Sequence, residues 1–210
     1  MNGLFISFEG GEGSGKSSVI NVVKEKLESD GYKVVITREP GGVNVSEQIR
    51  NVILAVDNQM SKETEALLYA ASRVEHLYAK VLPLLAEGYI VLSDRYLDSS
   101  LAYQGGARHL GVDEVLAVNS FATENTFPNL TILFDITPEL GLERIAKNAN
   151  REVNRLDLEK LDFHHNVRNT FLSLASKYKD RYVVIDASQS YEAVVNEVYN
   201  IIKQRLTNGN

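Results

Sequence analysis

Phe5-Ile6-Ser7-Phe8-Glu9-Gly10-Gly11-Glu12-Gly13-Ser14-Gly15-Lys16-Ser17-Ser18 is the stretch from which the fold can be read. Leu4 to Phe8 is a short apolar run of β-formers that stops at a glycine-dense turn. Gly10, four residues and then Gly15-Lys16-Ser17 fit the spacing G-x-x-x-x-G-K-[ST], and Val19, Ile20, Val23 and Leu27 recur after it with helical period. The motif thus lies between a strand and a helix start, where its mechanism requires it. Its glycine-rich backbone can aim successive N–H groups at one phosphate, and the helix opening near Lys16 adds unpaired N–H groups and a positive dipole end. Gly10, Gly11, Glu12, Gly13, Ser14, Gly15, Lys16, Ser17 and Ser18 are the candidate nucleotide contacts. Lys16 would reach the β/γ-phosphates and Ser17 would ligate Mg²⁺. A glycine-rich hairpin with a surface lysine is the alternative, and it leaves both flanks unexplained.

Around this P-loop, 210 residues with 44% hydrophobic composition suit one domain, residues 1–210, burying roughly 70% of its unfolded surface. There is no cysteine, which excludes disulfides, thiolate metal sites and cysteine nucleophiles. A metal should therefore have oxygen ligands, which favours Mg²⁺. The net charge of −6 is spread along the chain and argues against non-specific nucleic-acid or anionic-membrane binding. No apolar run reaches membrane-spanning length, and residues 1–8 carry no basic, cleavable leader. A cytoplasmic protein is expected.

Five apolar runs read as strands: Leu4 to Phe8, Lys33 to Thr37, Tyr89 to Ser93, Leu130 to Asp135 and Arg181 to Asp186. With helical patterns between them, they predict an α/β chain of P-loop NTPase-like, three-layer architecture, a five-stranded parallel sheet flanked by helices. Such sheets bind ligands beyond the carboxyl ends of their strands, which directs attention to the loops there. The second run leads into Arg38-Glu39-Pro40-Gly41-Gly42, and the third into Asp94-Arg95-Tyr96. Asp94 is placed to help hold Mg²⁺, and Arg95 to clamp a transferring phosphate bidentately. The alternative is a helix-capping Asp94 and a surface Arg95.

Further along, helical spacing puts Ser100, Tyr103 and Gln104 on one face next to Ser99, a plausible reader for a planar heterocycle or else an ordinary polar face. Residues 61–82 read as one long helix with the stripe Leu67, Ala70, Val74, Leu77 and Val81, ended or kinked by Pro83. Tyr69 and Arg73 share a face of it. Arg144, Lys147, Arg151 and Arg155 would form a cationic stripe on a helix, and Asn148 to Asn154 read as a flap, the lid spanning about 141–156. A solvated helix face is the equal alternative. His164 and His165 read as packing or surface residues, and no Gly-x-Ser-x-Gly elbow or Asn-Lys-x-Asp sequence is present.

Taken together, Phe8 to Ser17, Thr37-Arg38-Glu39-Pro40-Gly41-Gly42, Leu68-Tyr69-Ala70-Ala71-Ser72-Arg73 and the block from Asp94-Arg95-Tyr96 to Tyr103-Gln104 resemble the thymidylate kinase family. The resemblance runs from Phe5 to about Tyr199 and implies ATP- and Mg²⁺-dependent phosphorylation of thymidine monophosphate (dTMP) to the diphosphate. It implies that Arg73, Ser100 and Gln104 read the thymine edge, that Tyr69 stacks on the ring, and that Tyr103 crowds the 2′ position of the sugar. It also implies Glu39, Arg50 and Arg95 around the acceptor phosphate, a bacterial subtype with Glu12 in the P-loop and lid cations Lys147, Arg151 and Arg155, and a homodimer. Three positions depart from the family pattern. Tyr69 stands where phenylalanine is commoner, Val43 to Ser46 replace a Thr-Pro-x-Gly sequence, and Asn129 replaces an aspartate.

The expected catalytic set is Lys16, Asp94, Arg95, Arg151 and Arg155, with Ser17 and Asp94 at the metal. Rival readings are a P-loop kinase for another deoxynucleotide, one for a deoxynucleoside with Glu39 as base, and a P-loop ATPase or switch. The last lacks an evident water-orienting glutamine.

Overall fold

The computed structural model describes residues 3–147 and 155–207. Strands β1 (Leu4–Glu9), β2 (Val34–Arg38), β3 (Ile90–Asp94), β4 (Leu130–Asp135) and β5 (Tyr182–Asp186) form one sheet in the order β2-β3-β1-β4-β5. All four pairings are parallel, so each strand is reached by a crossover. From β1 the chain builds first to one side and then to the other. The topological switch therefore falls at β1, whose carboxyl end runs into the P-loop.

Period two along β1 divides the core into two layers. Leu4, Ile6 and Phe8 pack on α1 (Lys16–Ser29) and α9 (Tyr191–Thr207), through Val19, Val23 and Leu27 of the one and Val194, Val198 and Ile202 of the other. Phe5 faces the opposite side, with Leu101 of a wide turn Leu101–Ala107 and Phe171 and Leu174 of α8 (Leu161–Lys177). That second side also holds polar residues inside. Thr131 and Asp98 receive Arg181, which reaches both Asp98 oxygens at 2.6 and 2.7 Å, and Ser7 bonds Thr131 at 3.0 Å.

The remaining described helices are α2 (Asn44–Leu54), α3 (Lys62–His76), α4 (Leu82–Ala86), α5 (Leu97–Ser100), α6 (Val112–Ala122) and α7 (Pro138–Ala146). The long helix expected over residues 61–82 is broken earlier than Pro83. A π-turn, Leu77–Val81, separates α3 from α4, and the Leu82 N–H bonds Leu77 O, five residues back. Proline at the second position of α4 cannot donate and crowds the preceding turn, and widening that turn relieves both problems.

The stripe expected on this helix is borne out at Ala70, Leu77 and Val81, which are buried, and corrected at its first residue. Leu67 is 58% exposed, whereas Glu65, Tyr69, Ser72, Arg73 and His76 are buried. The inward face of α3 borders a polar cleft, so hydrogen bonding rather than hydrophobicity selects its residues. Its outward face lies beside those of α2 and α6, where Val45, Val52, Leu67, Val118 and Phe121 are exposed, Phe121 to 90%.

Candidate active site

A cleft of about 580 Å³ opens at the carboxyl ends of β1, β2 and β3, and its walls include the P-loop, α3 and the Arg95 to Gln104 segment. In the P-loop, Lys16 Nζ donates to Gly10 O and Gly11 O, each at 3.1 Å, and to Ser14 Oγ at 3.0 Å. Burial, with the Arg95 charge nearby, pushes its ammonium down to about 8. An incoming polyphosphate offers the counter-charge that would reverse this shift. Gly13 has φ +70°, and a Cβ there would lie 2.1 Å from Gly141 O of α7. The loop can therefore close on that helix only without a side chain at this position.

Ser17 Oγ donates to Asp94 Oδ2 at 2.5 Å, bringing the two expected metal residues together. A hydroxyl beside a carboxylate fits Mg²⁺, which takes hard oxygen ligands and fills its remaining positions with phosphate and water. Among the described residues, no group of three or more His, Cys, Asp or Glu could hold a metal ion.

Arg95 links the two ends of the cleft. Its Nη1 donates to Gly10 O at 3.0 Å and Ser99 Oγ at 3.1 Å, its Nη2 to Glu12 Oε1 at 2.7 Å, and the guanidinium carbon lies 4.9 Å from the centre of the Tyr103 ring. Its backbone is left-handed, φ 71°, a conformation costly for a residue with a Cβ. Three contacts hold it there. Arg95 N–H bonds Phe8 O at 3.0 Å, Ser93 Oγ donates to Arg95 O at 2.7 Å, and the next N–H, that of Tyr96, bonds Glu9 Oε1 at 2.7 Å. Glu9 Oε2 also accepts from Ser99 Oγ at 2.6 Å. Burial, and then the Asp98 charge, push the Glu9 carboxyl up to about 8.

In the wall of the cleft formed by α3, Arg73, 2% exposed, is held from four directions. Nε donates to Glu39 Oε2 at 2.8 Å, Nη1 to Ser100 Oγ at 3.1 Å and to Asn119 Oδ1, and Nη2 to Tyr96 O at 3.2 Å. Four of its five N–H groups are thus engaged within the described residues, which leaves one on Nη2. Glu39 is buried and also meets His76 Nδ1 at 2.9 Å, while His76 Nε2 meets Thr37 Oγ1 at 2.6 Å. Its carboxylate therefore orients Arg73 within the wall. Tyr69, Ser100, Tyr103 and Gln104 line the same cleft, and Tyr103 OH donates to Glu12 Oε1 at 2.9 Å. Arg50 lines it too, with Nη1 on Pro40 O at 2.9 Å.

The expected cationic stripe does not lie on one helix. Alpha7 ends at Ala146; Arg144 donates to Ala187 O at 3.0 Å, and Lys147 pairs with Glu143. Arg155 sits in a separate turn, Arg155–Leu158, with its Nε on Ile53 O at 3.2 Å and its Nη2 on Glu65 Oε2 at 2.5 Å. That places it beside the cleft, which the next residue, Leu156, lines. Arg151 and the flap residues Asn148 to Asn154 lie outside the described residues. Glu9, Glu65, His76 and Asn119, which bond residues lining the cleft, are not singled out by the sequence. For Glu65 and His76 a signal existed, a polar row Glu65, Tyr69, Ser72/Arg73, His76 at helical spacing.

The family model for thymidylate kinase matches residues 8–198, nearly the whole chain and both halves of the cleft. The chain belongs to the thymidylate kinase family. It is 51% identical over 206 residues to a thymidylate kinase of Halalkalibacterium halodurans, covering 98% of each chain. It is 53% identical over 207 residues to that of Bacillus licheniformis, again covering 98% of each. With that of Clostridium novyi it shares 52% over 202 residues, 96% of this chain and 98% of the relative. Family membership makes it a nucleoside-monophosphate kinase, a phosphotransferase acting on dTMP with ATP as donor.

Proposed function

We propose that the chain transfers the γ-phosphoryl group of ATP to the phosphate of dTMP with Mg²⁺ bound at Ser17 and Asp94, as one kinase domain working as a cytoplasmic homodimer. The acceptor is itself a phosphate whose second pKa lies near ~6, so at neutral pH it is mostly a dianion and attacks without a general base. Catalysis is then alignment and charge neutralisation. The P-loop N–H groups and Lys16 hold the donor phosphates, and Mg²⁺ supplies further charge neutralisation when bound. Arg95 and Arg50 hold the acceptor phosphate, with Arg151 and Arg155 as lid cations. Tyr69 stacks on the base, Arg73, Ser100 and Gln104 read its edge, and Tyr103 stands against the sugar.

The observation that carries this reading is the position of Arg95, which touches the P-loop through Gly10 and Glu12 and the acceptor wall through Ser99 and Tyr103. A residue bonded to both sides can lie between two facing phosphates. The homodimer is supported by exposed apolar residues on three neighbouring helices, α2, α3 and α6. The test is an acceptor panel with ATP. dTMP should exceed the monophosphates of cytidine, adenosine and guanosine in kcat/KM by roughly a hundredfold or more. A panel in which it ranks low, or ATP consumption indifferent to any acceptor, overturns the assignment.

A further inference from the structure

Glu65 belongs to none of the motifs that point to catalysis, yet it is among the most buried charges in the molecule, 1% exposed. It lies in the first turn of α3, one turn before Tyr69 and two before Arg73. A carboxylate placed there needs partners, and it has three. Oε1 accepts from Gln104 Nε2 at 2.9 Å and Arg108 Nε at 3.3 Å, and Oε2 accepts from Arg155 Nη2 at 2.5 Å. Burial alone would push this carboxyl up. The Gln104 bond and the guanidinium groups of Arg108 and Arg155 outweigh it and hold the group below the usual carboxylate range.

We propose that Glu65 is a positioning residue for acceptor-base selection, acting by fixing the orientation of the Gln104 side-chain amide. An ionised carboxylate accepts and cannot donate, so Gln104 has to turn its NH₂ toward Glu65. The carbonyl oxygen is then committed to the other branch of the amide, on a residue that lines the cleft. A fixed acceptor suits a pyrimidine with an N–H at ring position 3, as in thymine and uracil, and opposes cytosine, whose N3 is itself an acceptor. Without Glu65 the amide could turn over and satisfy either base. The same carboxylate anchors Arg155, whose neighbour Leu156 is buried and lines the cleft. One residue therefore orders both a polar reader and an apolar wall.

This inference rests on Gln104 as a reader of the base, so its test separates the two. Glu65→Gln, Gln104→Ala and the double variant are compared for kcat and KM with dTMP and with deoxycytidine monophosphate (dCMP), folding being followed by circular dichroism. Glu65→Gln should cut the preference for dTMP in kcat/KM by about tenfold, mainly through KM, the scale of one hydrogen bond. It should add little in the Gln104→Ala background. If Gln104→Ala loses the preference and Glu65→Gln keeps it, the role of Glu65 is overturned and the base reading survives. If Gln104→Ala keeps the preference, the base reading falls and this inference with it. Equal effects of Glu65→Gln in both backgrounds also overturn action through Gln104. Should Glu65→Gln alone fail to fold, Glu65→Gln with Arg155→Gln restores the charge balance and takes its place in the same comparison.

Discussion

At the scale of the residue, Glu9 is a buried carboxyl whose titration is set by its surroundings. Its carboxyl ordinarily titrates near 4.5 and is pushed up to about 8 in the folded chain. Between those values the folded state keeps a proton that the unfolded state has released, so stability is full below about 4.5, falls as pH rises toward about 8, and then levels. Glu9→Gln should flatten this contribution. Melting curves of wild type and variant from pH 5 to pH 8 are expected to show the wild type losing roughly 5 °C more than the variant. Parallel curves would remove Glu9 as the source. Nothing in the sequence marked this residue. Lys16, Ser17 and Asp94 were legible because a local motif and a strand end announce them, whereas Glu9 acquires its role from Tyr96 and Ser99, some ninety positions away.

At the scale of the element, the P-loop and α7 are fitted to one another through two glycines. A Cβ on Gly141 would stand 2.3 Å from Glu12 O, the reciprocal of the Gly13 contact with Gly141 O. Gly141→Ala should push the loop off its position, lower Tm by roughly 5 °C and raise KM for ATP severalfold while changing KM for dTMP less. Calorimetry and steady-state kinetics check this, and an unchanged KM for ATP would count against the fit. The strands were legible to within a residue or so, because buried parallel strands read as continuous apolar runs. Alpha3 was legible as a helix, with Tyr69 and Arg73 on a shared face, but the burial of Glu65, Ser72 and His76 and the exposure of Leu67 were not. Its inner side is chosen by the cleft, and the pattern rule assumes an apolar interior. The π-turn was hidden for a similar reason, since Pro83 announces a disturbance but not how the preceding turn absorbs it.

At the scale of the whole molecule, the outward apolar faces of α2, α3 and α6 should be covered by a second copy. Phe121→Glu is expected to convert the protein to a monomer by size-exclusion chromatography with light scattering, with little change in the fold. A wild type that already runs as a monomer would dispose of the dimer. Composition could not reveal this face, because Leu67 and Phe121 look like core residues until the third dimension shows which way they point. The crowded guanidinium of Arg73 has a further consequence for medicinal chemistry. With one N–H left unengaged among the described residues, and under the role proposed for Arg73 at the base, a competitive inhibitor gains from one carbonyl opposite that N–H. A second carbonyl aimed at the same group would be stripped of water and find no proton, at about 1–3 kcal/mol of lost affinity.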